Sequence, residues 1–221
     1  MRRLVLACLL FVVLSAGAVL ALRWVDPPVT SVMLLQPGPV GELHYRWVNR
    51  EAISWDAARA VMASEDQRFA DHHGIDFVSL DRALEDYAGG DGLRGASTIT
   101  QQVAKNLFLW QGRSFVRKAL EAYFAVLLEL CLTKERILEL YLNVAELGPQ
   151  VFGVEAAADN YFGSSARSLD LEQAALLAAV LPNPRRLLAA QPSEYVRERQ
   201  GQIVSEVRLL ESRGHYRGID W

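Results

Sequence analysis

Residues 4 to 22 read LVLACLLFVVLSAGAVLAL, an uncharged apolar run preceded by Met1, Arg2 and Arg3. A run of about 20 apolar residues matches the thickness of a bilayer, and inside lipid only a helix can satisfy such a segment's own backbone groups. The basic start places the N-terminus in the cytoplasm. The small residues Ser15, Ala16, Gly17 and Ala18 also fit a cleaved signal peptide. Leu20, Ala21 and Leu22 carry the run past them and favour a retained single-pass anchor. On either reading the rest of the chain lies outside the cytoplasmic membrane.

That remainder is globular in composition: of 221 residues, 51% are hydrophobic and 22% charged, enough for one sizeable core plus an appendage. A formal net charge of -3 and a pI near 5.8 argue against a broad nucleic-acid surface, so any anion site must be local. Cys8 and Cys131 are the only cysteines. They offer neither a disulfide framework nor a cysteine zinc site, and too little apolar sequence precedes Cys8 for a lipoprotein. Lysine occurs only at 105, 118 and 134, whereas arginine is spread along the chain.

Residues 1–3 are read as a cytoplasmic N-terminus, 4–22 as the anchor, 23–44 as a Pro- and Gly-rich linker and 45–221 as one mostly α domain. Ser54 caps a helix through Glu65, and Asp76 a second through about Tyr87. The stretch AGGDGLRG, 88 to 95, is a flexible loop. Ser97 or Thr98 starts a third helix to about Leu107, Ser114 a long one to about Leu132, and Thr133 the next. In that last helix Ile137, Leu140 and Tyr141 form an apolar face. A short helix follows within 148 to 163. Asp170 caps LEQAALLAAVL, apolar all round and so buried, and an amphipathic helix spans about Ser193 to Ser212. No stretch shows sustained alternation with period two, so the domain is read as mostly α.

Three constellations carry chemistry. In EDQRFADHHG, 65 to 74, acid, aromatic, imidazole and glycine crowd one turn: a proton-transfer site needs that density, and a glycine-capped helix end also looks like it. In RKALE, Arg117 and Lys118 flank Glu121, with Arg113 completing an i, i+4, i+8 row. Surface pairing explains such a row. The helix continues as AYFAVLLEL, however, apolar on nearly every face, which puts these charges at the mouth of a core where they must be paired or functional. In GASTITQQVAKN, 95 to 106, a helix cap explains one hydroxyl and leaves the twin amides Gln101 and Gln102 unexplained. LFLW, 107 to 110, is either core or a membrane-facing patch. His72 and His73 lack further ligands at zinc spacing, so His72 is assigned a hydrogen-bonding role. Separated carboxylates with nearby cations suit sugar transfer from a lipid diphosphate.

These stretches resemble, in order, the four motifs of the peptidoglycan glycosyltransferases of glycosyltransferase family 51, monofunctional biosynthetic type: EDQRFADHHG, GASTITQQ, RKALE and KERILELYLN. The resemblance covers roughly residues 45 to 190. It implies a lysozyme-like α domain with a small membrane-near jaw subdomain, and inverting polymerisation of lipid II into β-1,4-linked glycan with release of undecaprenyl diphosphate. It makes Glu65 the base for the acceptor 4-hydroxyl and Glu121 the residue assisting diphosphate departure, with a divalent cation (Mg2+ or Mn2+) held there through the bound diphosphate and no organic cofactor. Lys105, Arg113, Arg117, Lys118 and Lys134 would bind diphosphates. Ser97, Thr98, Gln101, Gln102 and Asn106 would also contact substrate, with Asp66, Phe69, His72 and Gly74 in support and Glu139 and Asn143 as framework. The implied partners are lipid II, the growing glycan, the bacterial inner membrane and cell-division or elongation proteins, with the catalytic domain periplasmic and no nucleic acid.

Two other readings remain open at this point. One is a hydrolase of finished peptidoglycan using the same carboxylates with water, which leaves the basic clusters without a purpose. The other is a non-enzymatic, membrane-anchored scaffold. A penicillin-binding transpeptidase module is not expected, because the chain ends at Trp221 and no Ser-x-x-Lys precedes that end.

Overall fold

The computed structural model describes residues 1–36, 43–89, 97–112 and 114–221. The helices are α1 (Arg2–Ala21), α2 (Ser31–Leu34), α3 (Trp55–Glu65), α4 (Phe77–Ala88), α5 (Ile99–Phe108), α6 (Phe115–Cys131), α7 (Lys134–Val144), α8 (Val154–Phe162), α9 (Leu171–Val180) and α10 (Glu194–Ser212). The expected caps close their N-termini. Ser54, Thr98, Ser114, Thr133, Asp170 and Ser193 each accept a backbone N–H of the first turn, an arrangement whose loss costs about 1 kcal/mol.

The core is built around α7, in which every residue from Ile137 to Val144 is buried. α5 lies against α6 and α7, while α9 packs between α3 and α10. Glu139 and Asn143, in the buried stretch of α7, are used within the framework. Asn143 accepts from Val48 N and donates to Val48 O, both at 2.9 Å, and Glu139 accepts from Arg50 N at 2.8 Å. The chain entering the domain is thereby tied to its central helix.

Two expectations need correction, and one feature adds to the mostly α domain without changing it. A small sheet is present: β1 (His44–Tyr45) pairs parallel to β3 (Val151–Phe152), which pairs antiparallel to β2 (Glu146–Gly148). Strands of two or three residues are too short to show alternation. The middle of α6 is not buried all round, because Val126 and Leu130 are exposed, as are Phe115 and Val116 at its start. The 23–44 linker is partly built into the domain. Val32 and Met33 of α2 are buried, and Ser31 Oγ donates to the carbonyls of Asn106 and Leu109 at the end of α5. LFLW divides: Leu109 is buried, Phe108 stacks on Phe124 and Trp110 is exposed. Most of the 88–95 loop lies outside the described residues.

Gly153 starts α8 at φ 80°, and a Cβ there would meet the carbonyl oxygen of Asn143 at 2.5 Å. Gly153→Ala is therefore expected to cost about 1–3 kcal/mol, read as a lowered midpoint in thermal unfolding. Ala in place of Gly201, where a Cβ meets nothing within 4 Å, is the control that should not destabilise.

Candidate active site

α3 ends at Glu65, and Asp66 caps it while the chain turns toward Gly74. A carboxylate as buried as Asp66 must be hydrogen-bonded. Its oxygens lie 3.0 Å from His72 Nε2, and one also accepts from Ile99 N at the start of α5, 3.0 Å away. Gly74 takes φ 85°, its carbonyl accepts from Thr98 Oγ1 at 2.6 Å, and a Cβ would press on the Ala125 carbonyl at 3.0 Å. With Phe69 only 1% exposed beneath it, the turn is fixed from three sides.

Glu65 emerges from this turn at the wall of a cavity of about 230 Å³ shared with Arg68, Arg82, Ser97 and Thr98. One carboxylate oxygen accepts from Gln102 Nε2 at 2.9 Å; the other has Arg199 Nη2 at 3.9 Å. Tyr141 fixes the orientation of the Gln102 amide by donating to Oε1 at 3.3 Å. Full burial, and then the charges of Glu65 and Asp66, push the Tyr141 hydroxyl well above its ordinary pKa and keep it a donor. The twin amides therefore divide. Gln101 forms the capping box with Thr98, which accounts for both of these residues structurally, and Gln102 alone reaches the base.

Gln102 also lines a larger cleft of about 500 Å³, with Lys105, Asn106, Arg117, Tyr141 and Arg185 among its walls. Burial pushes the Lys105 ammonium below its usual pKa; Glu121 opposes the shift, Arg117 adds to it, and the smaller effects of Glu65 and Lys118 follow the same signs. Glu121 is 3% exposed, with one oxygen on Arg117 Nη1 and the other on Lys118 Nζ. Lys118 reaches on to Ser97 Oγ at 2.9 Å. The two carboxylates thus do not line one cavity. Glu65 faces the smaller one, Glu121 is held by Arg117 of the larger one and by Lys118, which lines neither, and Lys105 feels both. Arg113 lies outside the described residues.

These residues do not fit a divalent cation held by the protein. Both oxygens of Glu121 are engaged by cations, and among the described residues no group of three His, Cys, Asp or Glu side chains could hold a metal.

Lys134 does not line either cavity. Its ammonium donates to the His72 carbonyl at 2.6 Å and to Glu129 at 2.9 Å, and lies 4.4 Å from the centre of the Phe69 ring. Glu129 also accepts from Thr100 Oγ1 at 2.6 Å. Sequence reasoning passed over Glu129, Arg199 and the pair Glu146–Arg185, joined at 3.0 Å on the cleft wall, and took Tyr141 only as part of an apolar face. Only Tyr141 carried a signal, a hydroxyl on an otherwise apolar helix face.

A helical domain with a carboxylate beside a cationic cleft has the groups that glycosyl transfer from a diphosphate needs. A family model described as Transglycosylase matches residues 36–208. Three proteins named biosynthetic peptidoglycan transglycosylase are similar over most of the chain. That of Chromohalobacter salexigens is 50% identical, over 95% of this chain and 92% of its own length. The one from Xanthomonas campestris pv. campestris strain B100 is 46% identical, over 97% and 90%, and the one from Shewanella oneidensis 46%, over 89% and 86%. The chain belongs to the transglycosylase family.

Because Lys134→Met leaves the largely covered carboxylate of Glu129 without its cation and with only the Thr100 hydroxyl, it is expected to cost about 3 kcal/mol of stability. It should leave pyrophosphate affinity unchanged. Thermal unfolding and calorimetric titration of one preparation measure both.

Proposed function

We propose that the chain is a peptidoglycan glycosyltransferase that polymerises lipid II into β-1,4-linked glycan, inverting the donor configuration and releasing undecaprenyl diphosphate. The observation that carries this reading is that one side chain, Gln102, touches the candidate base and lines the cationic cleft. The acceptor sugar lies in the smaller cavity, where Glu65 takes the proton of its 4-hydroxyl as that oxygen attacks the donor anomeric carbon. The bond from that carbon to the diphosphate oxygen breaks, and its electron pair leaves with the diphosphate in the larger cleft. Lys105, Arg117 and Lys118 stabilise the developing charge, acting in a site where fixed charges need no reorganisation. Arg113, read with them from the sequence row Arg113, Arg117 and Glu121, is assigned the same purpose.

Glu121 holds Arg117 and Lys118 in place, and a divalent cation, if used, enters with the substrate's own diphosphate. Ser97 and Asn106 contact substrate at the two cavity walls, while Thr98, Gln101, Asp66, Phe69, His72, Gly74 and Lys134 keep the turn and the cleft in shape. The apolar length of α1 and its basic start support a single-pass anchor in the bacterial inner membrane with the domain periplasmic, where a lipid-linked donor is within reach.

Glu65→Gln is expected to lower lipid II polymerisation by about 100-fold or more with an unchanged helical circular dichroism spectrum; full activity in this variant would remove Glu65 as base. A second outcome follows from Lys105. Its lowered pKa means that it loses its proton at lower pH than an exposed lysine, and a diphosphate binds the protonated form. Affinity for pyrophosphate is therefore fully present below the lowered pKa and falls as pH rises through it. Lys105→Arg keeps its charge, so the fall should move to higher pH in titrations from about pH 7 to about pH 11.

A further inference from the structure

The N-terminal helix makes contacts that a simple tether does not need. Ser15 and Val19 of α1 are buried against the domain although most of the helix is exposed. Ser15 Oγ donates back to Val12 O at 3.1 Å, so the 2.7 Å contact with Tyr123 is a bond donated by the Tyr123 hydroxyl. Phe11 adds ring contacts to Tyr123 and Phe124 at 5.6 and 6.4 Å between centroids. At the other end of α1, Arg136 forms a collar. Its guanidinium donates to Leu22 O at 2.8 Å, Val25 O at 3.3 Å, Asp26 at 2.7 Å and Glu139 at 2.8 Å, and it lies 5.2 Å from the Trp47 ring. Leu22 O is one of the carbonyls that a helix end leaves without an internal partner.

We propose that α1 is retained as a fixed strut, docked on α6 within the bilayer and clamped at its exit by Arg136, so that it sets the height of the cleft above the membrane. Ser15 lies seven residues before Leu22, roughly 10 Å at the rise of a helix, so Tyr123 sits that far inside the outer end of a span of about 30 Å. A tyrosine hydroxyl at that depth needs a partner, and Ser15 supplies it. The same placement gives lipid contact to exposed Val126 and Leu130 of α6, which carry no polar cover. The docking rests on the reading of the chain as an enzyme acting on a membrane-borne substrate, and two independent measurements separate them.

The first compares wild type with Phe11→Ala/Ser15→Ala and with Tyr123→Phe, as full chains. Each is assayed in vesicles with lipid II and in detergent with a water-soluble, short-chain lipid II analogue. Both variants should lose about fivefold in vesicles, the factor of one ordinary hydrogen bond, and nothing on the short-chain substrate. Equal activity in both settings would overturn the docking. A wild type inactive on both substrates would count against the enzymatic reading alone. The second measurement is independent of activity: in a Cys8→Ser/Cys131→Ser background, Ser15→Cys and Tyr123→Cys should be joined in membranes by a short thiol–thiol linker. The membrane-purified chain should also retain its mass through Met1 or Arg2. Absence of the link, or a chain cleaved after Ser15, rejects the strut.

Discussion

The structure depends on the burial of one carboxylate. Asp66 follows the candidate base in sequence, and its two oxygens gather the His72 imidazole and the first N–H of α5. An ionised carboxylate taken out of water is costly unless such partners are present, so the bonds are a condition of folding as much as a stabilisation. In satisfying them the chain brings the end of α3 to the start of α5. Everything on α5 that faces the cleft, Gln102, Lys105 and Asn106, inherits its register from that junction.

The helical architecture was legible because its signals are local. Ser, Thr and Asp caps act within one turn, and LEQAALLAAVL declares its burial in its composition. The small sheet was not legible, since two-residue strands have no period. The surface of α6 misled for a different reason: exposed Val126 and Leu130 look like core residues in a sequence, because composition does not tell which face of an apolar helix its neighbours cover. In the site, Glu65, Glu121, Lys105 and Arg117 could be named from their neighbours in sequence. Lys134 could not be separated from them, because whether a lysine meets substrate or a buried glutamate depends on a fold that brings residues 72, 129 and 134 together. Arg199 approaches Glu65 from the far C-terminal helix, with no local feature to announce it.

The division of the cations follows from their surroundings. Arg117 and Lys118 have Glu121 between them, which offsets one of their two charges at rest and fixes where both lie. Lys105 has no ion pair of its own among the described residues and is the one that burial penalises. An arriving diphosphate would meet two cations already oriented and one short of a counter-ion. Such an arrangement spends ordering before the substrate comes, which is the sense in which fixed charges favour a transition state.

The short helix α2 bears on how the tether meets the site. Val32 lines the larger cleft while Ser31 is bonded to the end of α5, so a segment that sequence assigns to the tether forms part of the wall. On the proposed function, the stretch of chain that leaves the anchor is thus also a stretch of the cleft wall, so tether and site are joined through the same residues.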